Sequence, residues 1–268
     1  MTKKTFHLDS DNRAAGYWEI LLSFGWVAVF FALQLVWGVV FFFWIGPESY
    51  TQEQLADVEL MAAPQRTLYA ISTFGGMIAA GFNFLLFVFL YLFFFGRFQL
   101  VGLSHWGKDI NLKLILISIG LIIAAMVFQT VYRLALPDIE MQKNVVLLIE
   151  AMPSDLGSKL ILFTSVGLLA GITEEIIFRG FLQNAIARYL NIHLAILISA
   201  AVFGLVHAQP ESLLPLMALG AAFGYIYHLT KSLRLAIALH VLNNSLALVA
   251  SEFIEAEKAA ASIGLLLG

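Results

Sequence analysis

An all-α polytopic membrane helix bundle, of seven to eight transmembrane helices, is predicted by three observations. The 268-residue chain is 60% hydrophobic and only 12% charged, about half of the ~25% charge usual in a water-soluble domain. Its mean hydropathy is +0.87, and its 23 phenylalanines add to more apolar surface than one soluble core can enclose. The apolar residues also fall into runs near the ~20 residues that cross a bilayer. In lipid every backbone N–H and C=O must bond within the protein, and runs of this length do so as helices.

The elements follow in order. The tail 1–19 is polar and of mixed charge, and the apolar run after it is too long for a signal peptide's core, so it reads as retained. Three spans fill 20–135: Ile20 to Gly46, stopped by Gly46-Pro47, then Thr67 to Phe95, then Leu112 to Tyr132. The loop 136–158 carries Pro137 and Pro153, and its stretch Val145 to Ile149 is apolar enough to lie at the interface. Four runs make a denser unit over 159–250: Lys159 to Tyr189, Ile192 to His207, Leu213 to Leu229 and Leu233 to Val249. The tail 251–268 is amphipathic and alanine-rich, a candidate surface helix or eighth span.

Basic residues in the connections set orientation. Lys3, Lys4, Arg13, Arg97, Lys108, Lys113, Arg188, Lys231 and Arg234 lie on one side, against Arg66, Arg133, Lys143, Lys159 and Lys258 on the other. That asymmetry predicts a multi-pass protein of the cell membrane with its N-terminus in the cytoplasm. The net charge is −3, and neither sign forms a run of five or more, which argues against nucleic acid as a partner and leaves the lipid bilayer. With no cysteine, thiolate metal sites and cysteine nucleophiles are excluded. Internal repeats, the basis of duplicated transporter folds, are not evident. Gly167 with Gly171, and Gly220 with Gly224, have the spacing that lets membrane helices approach closely.

Ionisable groups deep in a bilayer cost ~2.5–3.5 kcal/mol each on insertion scales, so each needs a partner or a purpose. The first three spans hold few such groups, neutral Asn83 and Gln129 being the exceptions, whereas the fourth holds Glu174, Glu175 and Arg179. His207 closes the fifth, and His240 and Asn244 lie in the last. Glu175 and Arg179 are four apart with the acid first, the favourable order for an intrahelical ion pair. An ideal α-helix rotates Glu174 ~100° from Glu175, leaving it free to face a cavity. Phe203 and His207 share a helix face, as do His240 and Asn244, while Asn243 points elsewhere. At ~1.5 Å per residue, Glu174 and His207 lie deeper from the inner ends than His240, which implies tilted helices or a displaced boundary.

A carboxylate held away from bulk water suits a general base near neutral pH. An imidazole can orient the water, and a second imidazole with a carboxamide can donate to a developing oxyanion. That set suffices for water to attack an amide without a serine, threonine or cysteine nucleophile. Glu174, His207 and His240 would equally leave one open position on a divalent metal such as zinc, although no His-Glu-x-x-His helix is present. Both versions stay open, as do a proton-coupled transporter using Glu174 and the histidines as a relay and a non-catalytic scaffold or bacteriocin-immunity protein.

Three motifs stand in order, one per helix: Glu174-Glu175-Ile-Ile-Phe-Arg179-Gly180, Phe203-Gly-Leu-Val-His207 and His240-Val-Leu-Asn243-Asn244. Together they resemble the CAAX protease and bacteriocin-processing (CPBP, or Abi) family of intramembrane proteases, over roughly Lys159 to Val249. The resemblance implies an endopeptidase, described in the family as glutamate-type and as metalloprotease, acting on a membrane-associated peptide or protein. It implies Glu174 as the base, helped by His207, with His240 and Asn244 at the oxyanion. Glu175, Arg179 and Phe203 belong to the motifs in supporting roles.

Overall fold

The computed structural model describes residues 10–45, 51, 53–54, 57–95, 110–137 and 143–267. The Gly46-Pro47 stop, His7, His105 and residues 1–9 of the polar tail lie outside them. The architecture is an all-helical polytopic bundle: α1 (Ser10–Ile45), α2 (Ala63–Phe95), α3 (Leu112–Ala135), a short α4 (Lys143–Glu150), α5 (Leu156–Ala187), α6 (Ile192–Val206), α7 (Leu213–Thr230) and α8 (Leu233–Leu267). Six of these are long and apolar enough to cross a membrane. The seventh predicted run, α6, has 15 residues and so is about 22 Å long, short of the ~30 Å hydrocarbon core. The apolar stretch of the long loop is helical as α4, packed on the turn Val58–Leu60 and on α2. Two boundaries move. α1 starts at Ser10, inside the segment read as tail, and α8 runs unbroken to Leu267 rather than breaking into a separate surface helix.

Side-chain caps start the helices where the sequence offers them, satisfying amides that lack an intrahelical partner. Asn111 accepts from Leu114 N before α3, Asp155 from Gly157 N and Ser158 N before α5, and Asn191 from Leu194 N before α6. Within the spans, small polar groups bond back to their own helix. Asn83 donates to Ala79 O, Ser118 to Leu114 O and Thr173 to Leu169 O, so none is left bare toward lipid.

The packed centre lies in the second half. Phe178, Phe203, Phe223, Ile177, Ile196 and Ile226 are almost fully enclosed, while α1 and α3 turn rows of Leu, Val, Ile and Phe outward, as lipid-facing helices do. α1 packs on α2, α3 on α7, and α8 on α5. Both glycine pairs sit at close approaches. A Cβ on Gly171 would lie 2.9 Å from Val241 Cγ2 and 3.1 Å from Val241 N, and one on Gly220 would lie 3.2 Å from Ala200 Cα. Backbone cannot yield as a flexible side-chain end can. Gly171→Ala should therefore cost about 1–3 kcal/mol by overpacking, seen as a lower thermal midpoint of the detergent-solubilised protein.

α5 and α7 run parallel and in register. Arg179 donates to Gly220 O, Gln183 Nε2 to Gly224 O at 3.1 Å, and Asn184 Nδ2 to Tyr227 Oη at 2.8 Å. The first two pairs repeat with one offset of 41 residues, one helical turn apart on each partner. The turn between α7 and α8 explains the depth mismatch. Thr230, Ser232 and Leu233 are buried, so α8 begins inside the bundle. Its polar atoms are satisfied locally: Thr230 Oγ1 accepts from Ser232 N, Ser232 Oγ from Leu235 N, and left-handed Lys231 (φ 53°) donates its N–H to Tyr227 O. His240, only two turns into α8, thereby reaches the level of Glu174.

Candidate active site

The site forms where α5 changes its winding. The helix is π-wound over Phe163–Ala170 and Ile176–Gln183, with one α-helical turn, Gly171–Glu175, between them. π-wound stretches are rare and concentrate at functional sites. That single turn carries both acids.

Glu175 is fully buried and Arg179 is 1% exposed. Glu175 Oε1 accepts from Arg179 Nη1 at 2.7 Å and bonds His240 Nδ1 at 2.8 Å. Arg179 spends its second terminal nitrogen on Gly220 O and lies over two rings, its Cζ 5.2 Å from the Phe203 centroid and 5.5 Å from that of Phe223. An isolated buried charge would cost several kcal/mol. Here the guanidinium meets a carboxylate, a carbonyl and two aromatic faces.

Glu174 is the accessible acid, with its side chain 17% exposed, and its Oε2 lies 3.8 Å from His240 Nε2. The two carboxylates therefore address the two nitrogens of one imidazole, an arrangement that the ~100° rotation between neighbours had not suggested. His240 is 2% exposed and stacks on Phe223, centroids 4.3 Å apart and planes 17° apart. A carboxylate can only accept from its ring, so the Glu175 bond places a proton on Nδ1 and leaves Nε2 directed at Glu174, accepting when bare and donating when protonated.

His207 ends α6 and bonds Phe203 O through Nδ1 at 2.7 Å. The carbonyl can only accept, so Nδ1 carries the hydrogen and neutral His207 keeps an accepting Nε2. The next residue, Ala208, has φ 52°, a conformation costly without glycine's freedom, and it turns the chain sharply after the imidazole. Phe203 joins the two histidines: its centroid is 4.8 Å from His207 and 6.2 Å from His240. Asn244, one turn beyond His240, donates through Nδ2 to Val166 O at 3.0 Å and accepts from Asn243 Nδ2 at 3.2 Å. One amide hydrogen of Asn244 thus remains for another acceptor.

The structure places Glu174, Glu175, Arg179, Phe203 and His240 in one cluster, with His207 against Phe203 and Asn244 a turn from His240. Sequence reasoning missed α7, which contributes Phe223 and the Gly220 carbonyl. The glycine pair marked that helix as close-packed, but nothing distinguished Phe223 among 23 phenylalanines. A three-ligand metal set is not assembled: among the described residues no three His, Cys, Asp or Glu side chains are grouped to hold one ion.

A buried carboxylate–imidazole–guanidinium cluster on four helices of a polytopic bundle defines the class: a membrane protein with polar chemistry inside its apolar core. Residues 156–246 match the family described as "Type II CAAX prenyl endopeptidase Rce1-like", so this third of the chain is similar to that family. It is also similar to "Putative membrane peptidase YdiL" of Bacillus subtilis (strain 168), at 37% identity over 78 residues. That match covers 29% of this chain and 32% of the relative, so the chain aligns with about a third of that protein's length. No solved structure matches the chain.

Proposed function

We propose that the protein is an intramembrane endopeptidase that hydrolyses a peptide bond in a membrane-associated protein or peptide. One observation carries this reading: partly accessible Glu174 faces a nitrogen of His240 whose other nitrogen is tied to a buried ion pair. A base open to water and an imidazole of fixed orientation are what amide hydrolysis needs, and similarity to a membrane peptidase supports the same chemistry.

Glu174 takes a proton from water as the water oxygen bonds to the carbonyl carbon. The carbonyl π electrons move to its oxygen, which receives hydrogen bonds from protonated His240 Nε2 and the uncommitted N–H of Asn244. Reformation of the C=O expels the amine, which takes the proton back from Glu174. His207, through its bare Nε2, accepts from the attacking water and orients it. Glu175 and Arg179 touch no reacting atom in this scheme; they hold His240 in place. The N-terminus lies in the cytoplasm of a cell-membrane protein, on the basic-residue asymmetry of the connections.

The oxyanion role is tested with Asn244→Ala in liposomes bearing a membrane-anchored peptide. Loss of one such donor costs ~10²–10³ in kcat, so kcat should fall by about 10² with KM nearly unchanged. An unchanged kcat would remove Asn244 from the scheme.

A further inference from the structure

Away from this site, α6 and α7 enclose an open cavity of about 540 Å³ near the helix ends that carry Asn191 and Thr230. This is within the usual size of ligand sites. Its wall is graded. At the end of α6, His193 Nδ1 bonds Tyr225 Oη at 2.9 Å, and the apolar part of the lining is Leu194, Ile196, Leu197 and Ala221. On α7, Ala221, Tyr225 and His228 follow one stripe at spacings of four and three. Beyond His228, Lys231 Nζ donates to His228 Nδ1 at 3.1 Å. Along about three turns the surface thus passes from apolar, through a phenol and an imidazole, to a cation.

The segment that forms this end is rich in basic residues. Between Asn184 and Arg234 the chain carries Arg188, His193, His228, Lys231 and Arg234, and its one acid, Glu211, sits at the opposite end of α7. Ala221 leaves room between the helices where a larger side chain would close it. We infer that this cavity binds an anionic phospholipid from the surrounding bilayer, its headgroup at His193, Tyr225 and Lys231 and an acyl chain against Leu194, Leu197 and Ala221. A basic pocket between membrane helices at headgroup level is suited to such a ligand, and the apolar wall supplies what a free anion would not use.

The inference is tested by native mass spectrometry of the full chain in detergent, titrated separately with phosphatidylglycerol, phosphatidylcholine and inorganic phosphate. One phosphatidylglycerol should be retained per chain at a concentration at least tenfold below that needed for phosphatidylcholine. Ala221→Leu, which fills the cavity, should abolish retention. The double variant His193→Ala with Tyr225→Phe changes partly exposed side chains, should keep the wild-type thermal midpoint, and should raise half-saturation at least fivefold; it decides the matter if Ala221→Leu disturbs folding. Equal retention of both lipids, unchanged binding by the double variant, or competition by inorganic phosphate alone would each overturn the assignment.

Discussion

Glu174→Gln is expected to lower the rate of peptide hydrolysis at least 10³-fold while the protein still inserts and keeps its thermal midpoint. The amide preserves the size of the side chain but cannot take a proton from water, and a positioned general base is worth ~10²–10⁴ in rate. The midpoint should hold because Glu174, 17% exposed and 3.8 Å from its nearest ring nitrogen, makes no short bond on which packing depends. Loss of hydrolysis with retained folding separates a chemical role from a structural one. The measurement is single-turnover cleavage of a membrane-anchored peptide, with the midpoint taken on the same preparation.

The second large effect falls on stability. Arg179→Met removes the cation and leaves Glu175 fully buried beside an imidazole, and breaking a buried pair from one side costs about 3–5 kcal/mol. Replacing both partners, Glu175→Leu with Arg179→Met, removes both charges and should recover most of that loss in thermal stability. Hydrolysis should not recover, because His240 Nδ1 loses its 2.8 Å partner and the ring its fixed orientation. Activity returning together with stability would show that the ion pair holds the helix alone and not the imidazole. A single variant could not make that distinction; the pair of measurements does.

The helices were legible because apolar runs of bilayer length leave the chain few other options, and each of the seven predicted runs corresponds to a helix. The chemistry-bearing residues were legible for the complementary reason. An acid, an arginine and two histidines inside apolar runs are too costly to be incidental, and they stood out against first spans that hold few polar groups. What could not be read was their mutual geometry. Both acids sit on the α-helical turn Gly171–Glu175 and keep their ~100° separation; what periodicity could not show is that one imidazole from α8 meets both of them, one at each ring nitrogen. The depth of His240 depended on the turn Thr230–Leu233 being buried, which a short polar turn does not announce. Phe223 is one aromatic among many until the imidazole is seen lying flat on it.

Everything proposed for the site rests on Glu174 activating water for peptide-bond hydrolysis. The most direct measurement compares the membrane proteomes of cells carrying the intact protein and cells carrying Glu174→Ala, read for peptide termini generated within membrane-associated proteins. A defined set of new N- and C-termini should be present with the intact protein and absent with the variant. The same termini in both, at equal abundance, would contradict the role given to Glu174.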